Sequence, residues 1–475
     1  MSFIKQEKTK IVATIGPKTE DEKTMGALVK AGMDVIRLNF SHGDHNEHIN
    51  RIKTARIVSK KEGKTITIIQ DLSGPKIRIG DFYKEKVDLK KGKIFTLTTK
   101  KIVGDEKLAY VNYKGLPKEV KKGNIILLDD GKEKLEVIRT SNNSITCKII
   151  IGGETKGRRG VNIPGAYLKI SSLTTKDKTD LIVGLKYGVD FVALSFVRQP
   201  KDVNDLRNIL KKHKSDIGII AKIETQEAVD NIDKIIELAD GIMVARGDLA
   251  IEIPAEDVPV VQKMIIHKCN EAGKPVIVAT QMLESMIHSP VPTRAEVSDV
   301  ANSIIDGTDA IMLSEETTLG ENPVEAVLVM SKIARRVESL SDKHRNMKTR
   351  DDGTRSVVDT ISSSVVNVAY NVKAKAIVAL TESGSTARMI SRFKPTQPII
   401  VMSSNNRTRA KLGLSYGCYH IPIERISSIR QVTDFVQSFM IKNKFAKKDE
   451  KVVIAAGVPF GKTGGTNMVL VHKMK

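Results

Sequence analysis

The stretch IGIIAKIETQEAVDNIDKIIELADGIMVARGD, residues 217–248, carries the reading of the fold. A short apolar run, Ile217–Lys222, leads into an amphipathic segment and then into a second apolar run, Gly241–Ala245. That order predicts two parallel strands joined by a covering helix. Both runs end in charge, Lys222 with Glu224 and then Arg246 with Asp248. Ordinary strand exits supply Gly, Asn or Ser, so two successive charged exits point to a site rather than a turn.

Six further runs of the same kind flank this unit: Lys10–Thr14, Asp34–Asn39, Thr65–Asp71, Asp190–Ser195, Pro275–Thr280 and Ala310–Leu313. Eight apolar runs, each followed by helix-like sequence or an insertion, predict an α/β chain built on a (β/α)₈ TIM barrel. Their ends add Thr14, Arg37 with Asn39, Asp71, Ser195, Thr280, and Ser314 with Glu316. Side chains two apart on a strand share a face. Arg37 with Asn39, Lys222 with Glu224, and Arg246 with Asp248 are therefore expected to point into one mouth.

Between Pro75 and Ile170 the pattern changes to period-two alternation, as in KVDLKKGKIFTLTT and NSITCKIIIGG, and Asp130-Gly131 predicts a type I′ hairpin turn. This segment reads as a small β-barrel domain inserted over the barrel mouth, where such insertions act as lids. The polar stretch 341–355 reads as a linker, and five apolar runs beyond it predict a C-terminal α/β domain. The expected domains are 1–74 with 171–340 for the barrel, 75–170 for the lid, and 341–475 for the C-terminal unit.

The chain has 475 residues, 40% hydrophobic and 28% charged, a globular composition. Lys and Arg number 77 against 56 Asp and Glu, a formal net charge of +21. The basic residues are spread along the chain, and aromatics are 4% with no Trp, so no nucleic-acid partner is expected and anionic small substrates are. No apolar run approaches the ~18 residues of a membrane span. MSFIKQEKTK lacks the apolar core of a signal peptide, and Cys147, Cys269 and Cys418 are too scattered for a disulfide framework. A cytoplasmic protein with no membrane partner is expected.

Four motifs carry chemistry. AGVPFGKTGG, with Gly461-Lys462-Thr463, is reminiscent of a P-loop, but a strand-like run follows where a phosphate-binding helix should open. His42, His45 and His48 lie three apart; His45 and His48 read as a solvated first helical turn rather than zinc ligands. Glu224 and Asp248, on adjacent strand ends without Cys or His nearby, suit a hard cation such as Mg²⁺, with a structural ion-pair network as the alternative. Thr381-Glu382-Ser383-Gly384-Ser385-Thr386 follows a strand and precedes a helix, which suits either a phosphate cradle or a simple cap.

Taken together, nine segments resemble the pyruvate kinase family. They are KTKIVATIGPKT, VIRLNFSHG, DLSGPKIR, KGRRGVNIPG, AKIET, GIMVARGDLAIEIP, VATQMLESM, PTRAEVSDVANSIIDGTDAIMLSEET and GVPFGKTGGTN, in order from residue 8 to residue 467. The resemblance implies phosphoryl transfer from phosphoenolpyruvate to ADP, giving pyruvate and ATP, by a cytoplasmic homotetramer. It implies that Arg37 and Lys222 contact the phosphoryl group, that Glu224 and Asp248 hold Mg²⁺ (or Mn²⁺), and that Gly247, Asp248 and Thr280 hold the substrate carboxylate. Thr280 is also implied in proton delivery. His42, Arg78 and Arg159 resemble nucleotide-side contacts. Thr381, Ser383, Gly384, Ser385 and Thr386 resemble the loop of a regulatory domain that binds a phosphorylated allosteric effector. Asn39, Ser41, Asp71 and Leu72 match a K⁺ site. Many relatives have Glu where this chain has Lys76, however, and the ammonium is expected to replace K⁺, which is then not required. Two other readings fit parts of the sequence: a metal-dependent barrel of aldolase type, and a catalytically silent binding protein. The lid with its nucleotide-side residues argues against the first. The intact Arg37, Lys222, Glu224, Asp248 and Thr280 set argues against the second.

Overall fold

The computed structural model describes residues 7–340, 356–424, 428–459 and 465–475. The expected linker 341–355 and the Gly461-Lys462-Thr463 loop lie outside the described residues.

Eight parallel strands close a barrel: Lys10–Thr14, Val35–Asn39, Thr67–Asp71, Phe191–Val197, Gly218–Ile223, Gly241–Ala245, Val276–Ala279 and Ala310–Leu313. Closure comes from the first and last strands, which pair with Lys10 beside Ala310 and Ala13 beside Leu313. Almost every residue of these strands is buried, because helices cover the outside and side chains fill the inside. The covering helices start where the sequence supplies caps. Asp44 and Glu47 form a capping box for His45–Glu62, and Thr174 and Asp177 form one for Thr175–Tyr187.

The insertion after the third strand folds on its own apolar cluster, centred on Phe95, Leu97, Ile126, Leu135 and Ile145. Its main sheet has six strands and a two-stranded ribbon lies beside it. The hairpin at Asp130-Gly131 differs from the expected two-residue turn. Leu128 pairs with Glu133, leaving four loop residues, of which Asp129, Asp130 and Gly131 take φ of 48°, 58° and 93°. Three successive left-handed residues make a wider loop, and this loop touches the helix Arg246–Glu252 of the barrel.

The C-terminal unit is a five-stranded sheet in the order Cys418–Pro422, Ile399–Ser403, Ile377–Leu380, Lys451–Ala456, Met468–Lys473, with the last strand antiparallel. Its short turn Leu412–Leu414 is driven against the barrel floor. Leu414 is 1% exposed and belongs to the barrel's interior cluster, with Val12, Val35, Ile69, Phe191 and Met243. Gly413 allows this approach, since a Cβ there would sit 1.9 Å from the Thr67 Oγ1. Thr67 Oγ1 donates to the Ala410 carbonyl at 2.5 Å, and Lys10 Nζ donates to the Cys418 carbonyl at 2.8 Å. Among the described residues no helix is long and apolar enough to cross a membrane.

Because Leu414 completes a core that is not its own, Leu414→Ala should cost about 2–5 kcal/mol and lower the apparent Tm of the barrel by several degrees. Leu414→Met should cost less than ~1.5 kcal/mol. Calorimetry of both variants checks this, and equal stability of Leu414→Ala and the unaltered chain would refute it.

Candidate active site

The third strand ends at Asp71, a carboxylate that is 1% exposed and sits between two cations. Arg37 Nε, from the second strand, donates to Asp71 Oδ2 at 2.6 Å. Lys222 Nζ, from the fifth, lies 3.4 Å from Asp71 Oδ1. Burial would raise the Asp71 pKa, but Lys222 and Arg37 outweigh it and hold the carboxyl below its ordinary value. Arg37 is fixed a second time by Thr14 Oγ1, which accepts from its Nη1 at 3.1 Å.

Lys222 also lies 2.9 Å from Glu224 Oε1 and donates to Ser195 Oγ at 2.7 Å. Burial disfavours its charge, yet Asp71 and Glu224 together overcome that and raise its pKa above the ordinary lysine value. The ammonium therefore stays charged at any working pH.

Glu224 is 1% exposed, and its pKa is raised by burial and by the neighbouring Asp248 carboxylate, against the opposing pull of Lys222. The Glu224 and Asp248 carboxylates, close enough for one to act on the other, form a donor set suited to a hard divalent cation, with oxygen ligands only. No cluster of three or more His, Cys, Asp or Glu residues able to hold a metal occurs among the described residues.

Asp248 sits on the short helix Arg246–Glu252, whose first turn opens at the mouth. There the expectation of a shared strand face fails. The sixth strand ends at Ala245, and Arg246 starts the helix instead of extending the strand. Its guanidinium turns aside to Asp299 Oδ1 at 2.6 Å and to the Thr280 carbonyl at 2.7 Å. Thr280 itself holds φ of 73°, a costly conformation for a β-branched residue, and its Oγ1 accepts from the Gly247 N–H at 2.7 Å.

Among the residues matched to a K⁺ site, Asn39 stands beside Asp71 in the register of the second and third strands. Asn39 Oδ1 accepts from the Ser41 N–H at 3.1 Å, closing the turn after the second strand. The Leu72 carbonyl accepts from Ser195 Oγ at 2.7 Å. Lys76 is exposed, beyond Pro75, and lines a cleft of about 240 Å³ between lid and barrel together with Arg78, Arg159, Asp130 and Asp248. Arg78 is braced by the Arg158 carbonyl at 2.8 Å, and Arg159 lies 3.5 Å from Asp129. Among the histidines, His42 is exposed. His48 departs from a solvated turn: it is 1% exposed, stacks on Phe40 at 3.9 Å, and bonds the His42 carbonyl. His45 lies 2.8 Å from Asp180. The helix packs against the barrel on the side that carries His48, which a count of charged neighbours could not reveal.

In the C-terminal unit, two of the loop hydroxyls are spent within the fold. Thr381 Oγ1 accepts from the Gly384 N–H at 2.9 Å, and Thr386 Oγ1 meets Thr466 Oγ1 at 2.8 Å. Ser383 is exposed and Ser385 half-buried, at the start of the helix Ser385–Ser391.

Thr14 and Ser195 were legible only as polar strand ends; their contacts to Arg37 and Lys222 depend on the register of the first strand against the second and on a bulge in the fourth. The mouth thus gathers a charged lysine, an arginine, two carboxylates apt for a cation, and a helix start whose Gly247 N–H is held by Thr280, beside the cleft under the lid. This is equipment for holding and neutralising a phosphoryl group.

Comparisons with known proteins agree. The family described as "Pyruvate kinase, barrel domain" matches residues 6–327, and "Pyruvate kinase, alpha/beta domain" matches residues 359–472. A pyruvate kinase of Geobacillus stearothermophilus is 44% identical over 473 residues, covering 98% of this chain and 80% of the relative. One of Clostridium perfringens is 43% identical, covering 98% of this chain and all of the relative. The crystal structure of a pyruvate kinase from Cryptosporidium parvum superposes with a TM-score of 0.94 at 36% identity, over 100% of this chain and 97% of that one. Barrel, lid, C-terminal sheet and the charged mouth all lie within those matched spans, and the chain belongs to the pyruvate kinase family of phosphotransferases.

Proposed function

We propose that the barrel mouth transfers the phosphoryl group of phosphoenolpyruvate to ADP, with Arg37 and Lys222 as its two fixed cations. The observation that carries this reading is the chain Arg37–Asp71–Lys222–Glu224, in which Asp71, Lys222 and Glu224 are buried, Arg37 is partly buried, and each charge is held by a neighbour before substrate arrives. Phosphoryl transfer needs positioning and charge neutralisation more than covalent chemistry from the protein. Arg37 orients the phosphoryl oxygens. Lys222 neutralises charge on that group and on the enolate oxygen left behind. Glu224 and Asp248 would hold Mg²⁺, with Mn²⁺ as a substitute, and the bound ion supplies positive charge to the substrate oxygens. The N–H groups of Gly247 and Asp248 bind the carboxylate, for which Thr280 Oγ1 must yield its place on Gly247. Thr280 then stands where a proton reaches the enolate carbon, directly or through water. His42, Arg78 and Arg159 receive the nucleotide phosphates across the cleft, while the lid excludes water that would hydrolyse the transferring group.

The division into 1–74 with 171–340, 75–170 and 341–475 is part of the proposal. It is supported by the change of apolar cluster between Leu72 and Ile77 and again between Ile163 and Leu173. A homotetramer in the cytoplasm, with no nucleic-acid or membrane partner, is supported by the family resemblance.

Replacing Lys222 by Met should lower kcat by two orders of magnitude or more, since a single charge-stabilising donor contributes about 3–4 kcal/mol. Folding and direct Mn²⁺ binding should survive. Near-normal kcat would remove Lys222 from the mechanism.

Lys76 is proposed to stand in for K⁺ by reaching back from the cleft wall toward Asp71, Leu72, Asn39 and Ser41 once substrate binds. An ammonium and K⁺ within about 4 Å would repel by roughly 4 kcal/mol at an effective dielectric of 20. Activity with Mg²⁺ should be nearly full in buffer free of K⁺ and Na⁺, and Lys76→Glu should become partly K⁺-dependent. An unaltered enzyme that is silent until K⁺ is added contradicts this.

Activation by a phosphorylated metabolite at Thr381–Thr386 is proposed with Ser383 and Ser385 as the available hydroxyls. Fructose 1,6-bisphosphate, glucose 6-phosphate, ribose 5-phosphate or AMP should shift phosphoenolpyruvate saturation to lower concentration in a tetramer sized by light scattering. The shift should disappear in Ser383→Ala/Ser385→Ala. If none of the four shifts the curve, the proposal fails.

A further inference from the structure

Ser195 lies at the end of the fourth barrel strand and is 3% exposed. The register of this strand against the fifth slips between Leu194 and Val197, a bulge in an otherwise regular barrel. Within that bulge Phe196 takes φ of 52°, a left-handed conformation that an aromatic residue rarely adopts. Bulges beside active sites re-aim side chains, and this one does so twice. It turns the Ser195 hydroxyl toward Lys222, and it points the Phe196 N–H at Glu224 Oε2, 2.6 Å away.

The Ser195 hydroxyl has one proton and two lone pairs. The Leu72 carbonyl is 2.7 Å from Oγ and Asp71 Oδ1 is 3.4 Å away, so the proton goes to Leu72. The lone pairs are then left for Lys222 Nζ at 2.7 Å, the shortest of that ammonium's three contacts. The other two partners have further duties: Asp71 is bonded to Arg37, and Glu224 belongs to the carboxylate pair suited to a cation. When a cation or a phosphoryl group draws on Glu224, Ser195 is the neutral acceptor that still anchors the ammonium.

We infer that Ser195 is a positioning residue for phosphoryl transfer: through its bond to Leu72 and the bulge at Phe196, its hydroxyl fixes the direction in which Lys222 presents its remaining N–H donors. It has no contact of its own with the reacting atoms. The inference rests on the proposed role of Lys222, and the experiment separates the two.

Ser195→Ala, Lys222→Met and the double variant are compared by steady-state kinetics, with Mn²⁺ binding measured directly on each protein. Ser195→Ala should lower kcat about 10–100-fold, the range seen when a supporting partner of a functional group is lost. The KM for phosphoenolpyruvate should change less than about threefold and Mn²⁺ affinity should hold, because Ser195 touches neither ligand. On the Lys222→Met background the second substitution should add almost nothing, since its effect passes through the missing ammonium. Ser195→Thr should restore much of kcat. Ser195→Cys, of similar size but a weak acceptor, should not, and it decides the matter if Ser195→Ala does not fold. A full additive loss in the double variant, or a kcat in both Ser195→Ala and Ser195→Cys within about twofold of the unaltered enzyme, overturns the inference while leaving Lys222 in place. If Lys222→Met is itself fully active, the role of Lys222 falls, and with it the inference.

Discussion

Pairing of Lys10–Ala13 with Ala310–Leu313 closes the barrel, and the rest of the structure depends on that closure. An open parallel sheet would leave its strand ends in a line, with the Thr14 and Ser314 ends far apart. Once the sheet closes, all eight ends face one mouth, and the charges already gathered along the second to fifth strands share it with the groups on the sixth and seventh. The cost of gathering charges there is desolvation, and it is met pair by pair. Asp71 sits between Arg37 and Lys222, and Lys222 sits between Asp71 and Glu224. Removing one member would leave a buried charge uncompensated, which is why such a cluster is rigid as well as reactive.

The barrel is also finished from below. Leu414 fills the floor from another domain, and the Thr67 hydroxyl, at the start of the third strand, is bonded to the turn that carries it. The same strand ends four residues later at Asp71. Thr408, on the helix leading into that turn, donates its hydroxyl proton to the Glu382 carbonyl at 2.7 Å, in the loop proposed for an effector. A continuous set of packed groups therefore joins that loop to the carboxylate that holds Arg37 and Lys222. It supplies contact between the two regions; coupling requires in addition that the set have two arrangements.

Much of this was legible in the residues. Apolar runs bounded by helix-like sequence located the eight strands to within one or two positions, because burial on both faces demands uninterrupted hydrophobic strands. The charged exits at Arg37, Lys222 and Glu224 were equally visible, since nothing in strand–loop chemistry calls for them. The misreadings share a cause. Arg246 was placed on a strand face because period-two reasoning assumes that the strand continues, whereas a helix begins there. His48 was placed in solvent because the polar residues around it hid the side on which the helix packs. The turn at Asp130 was read from a dipeptide that is compatible with more than one loop length.

By itself the sequence determined which groups are available: the periodicity of the elements, the presence of an insertion, and the residue types carrying charge at strand ends. These are local properties, fixed by side-chain chemistry and by repeats of two or of about 3.6 residues. Only the tertiary structure decided which groups meet. That Lys222 rests on Ser195, that Thr14 braces Arg37, that Arg246 turns away to Asp299, and that Leu414 fills another domain's core are contacts between residues 23 to about 400 positions apart. Such contacts follow from strand register, a one-residue bulge, the placing of helices over the barrel and the docking of two domains, and no local pattern in the chain encodes those distances.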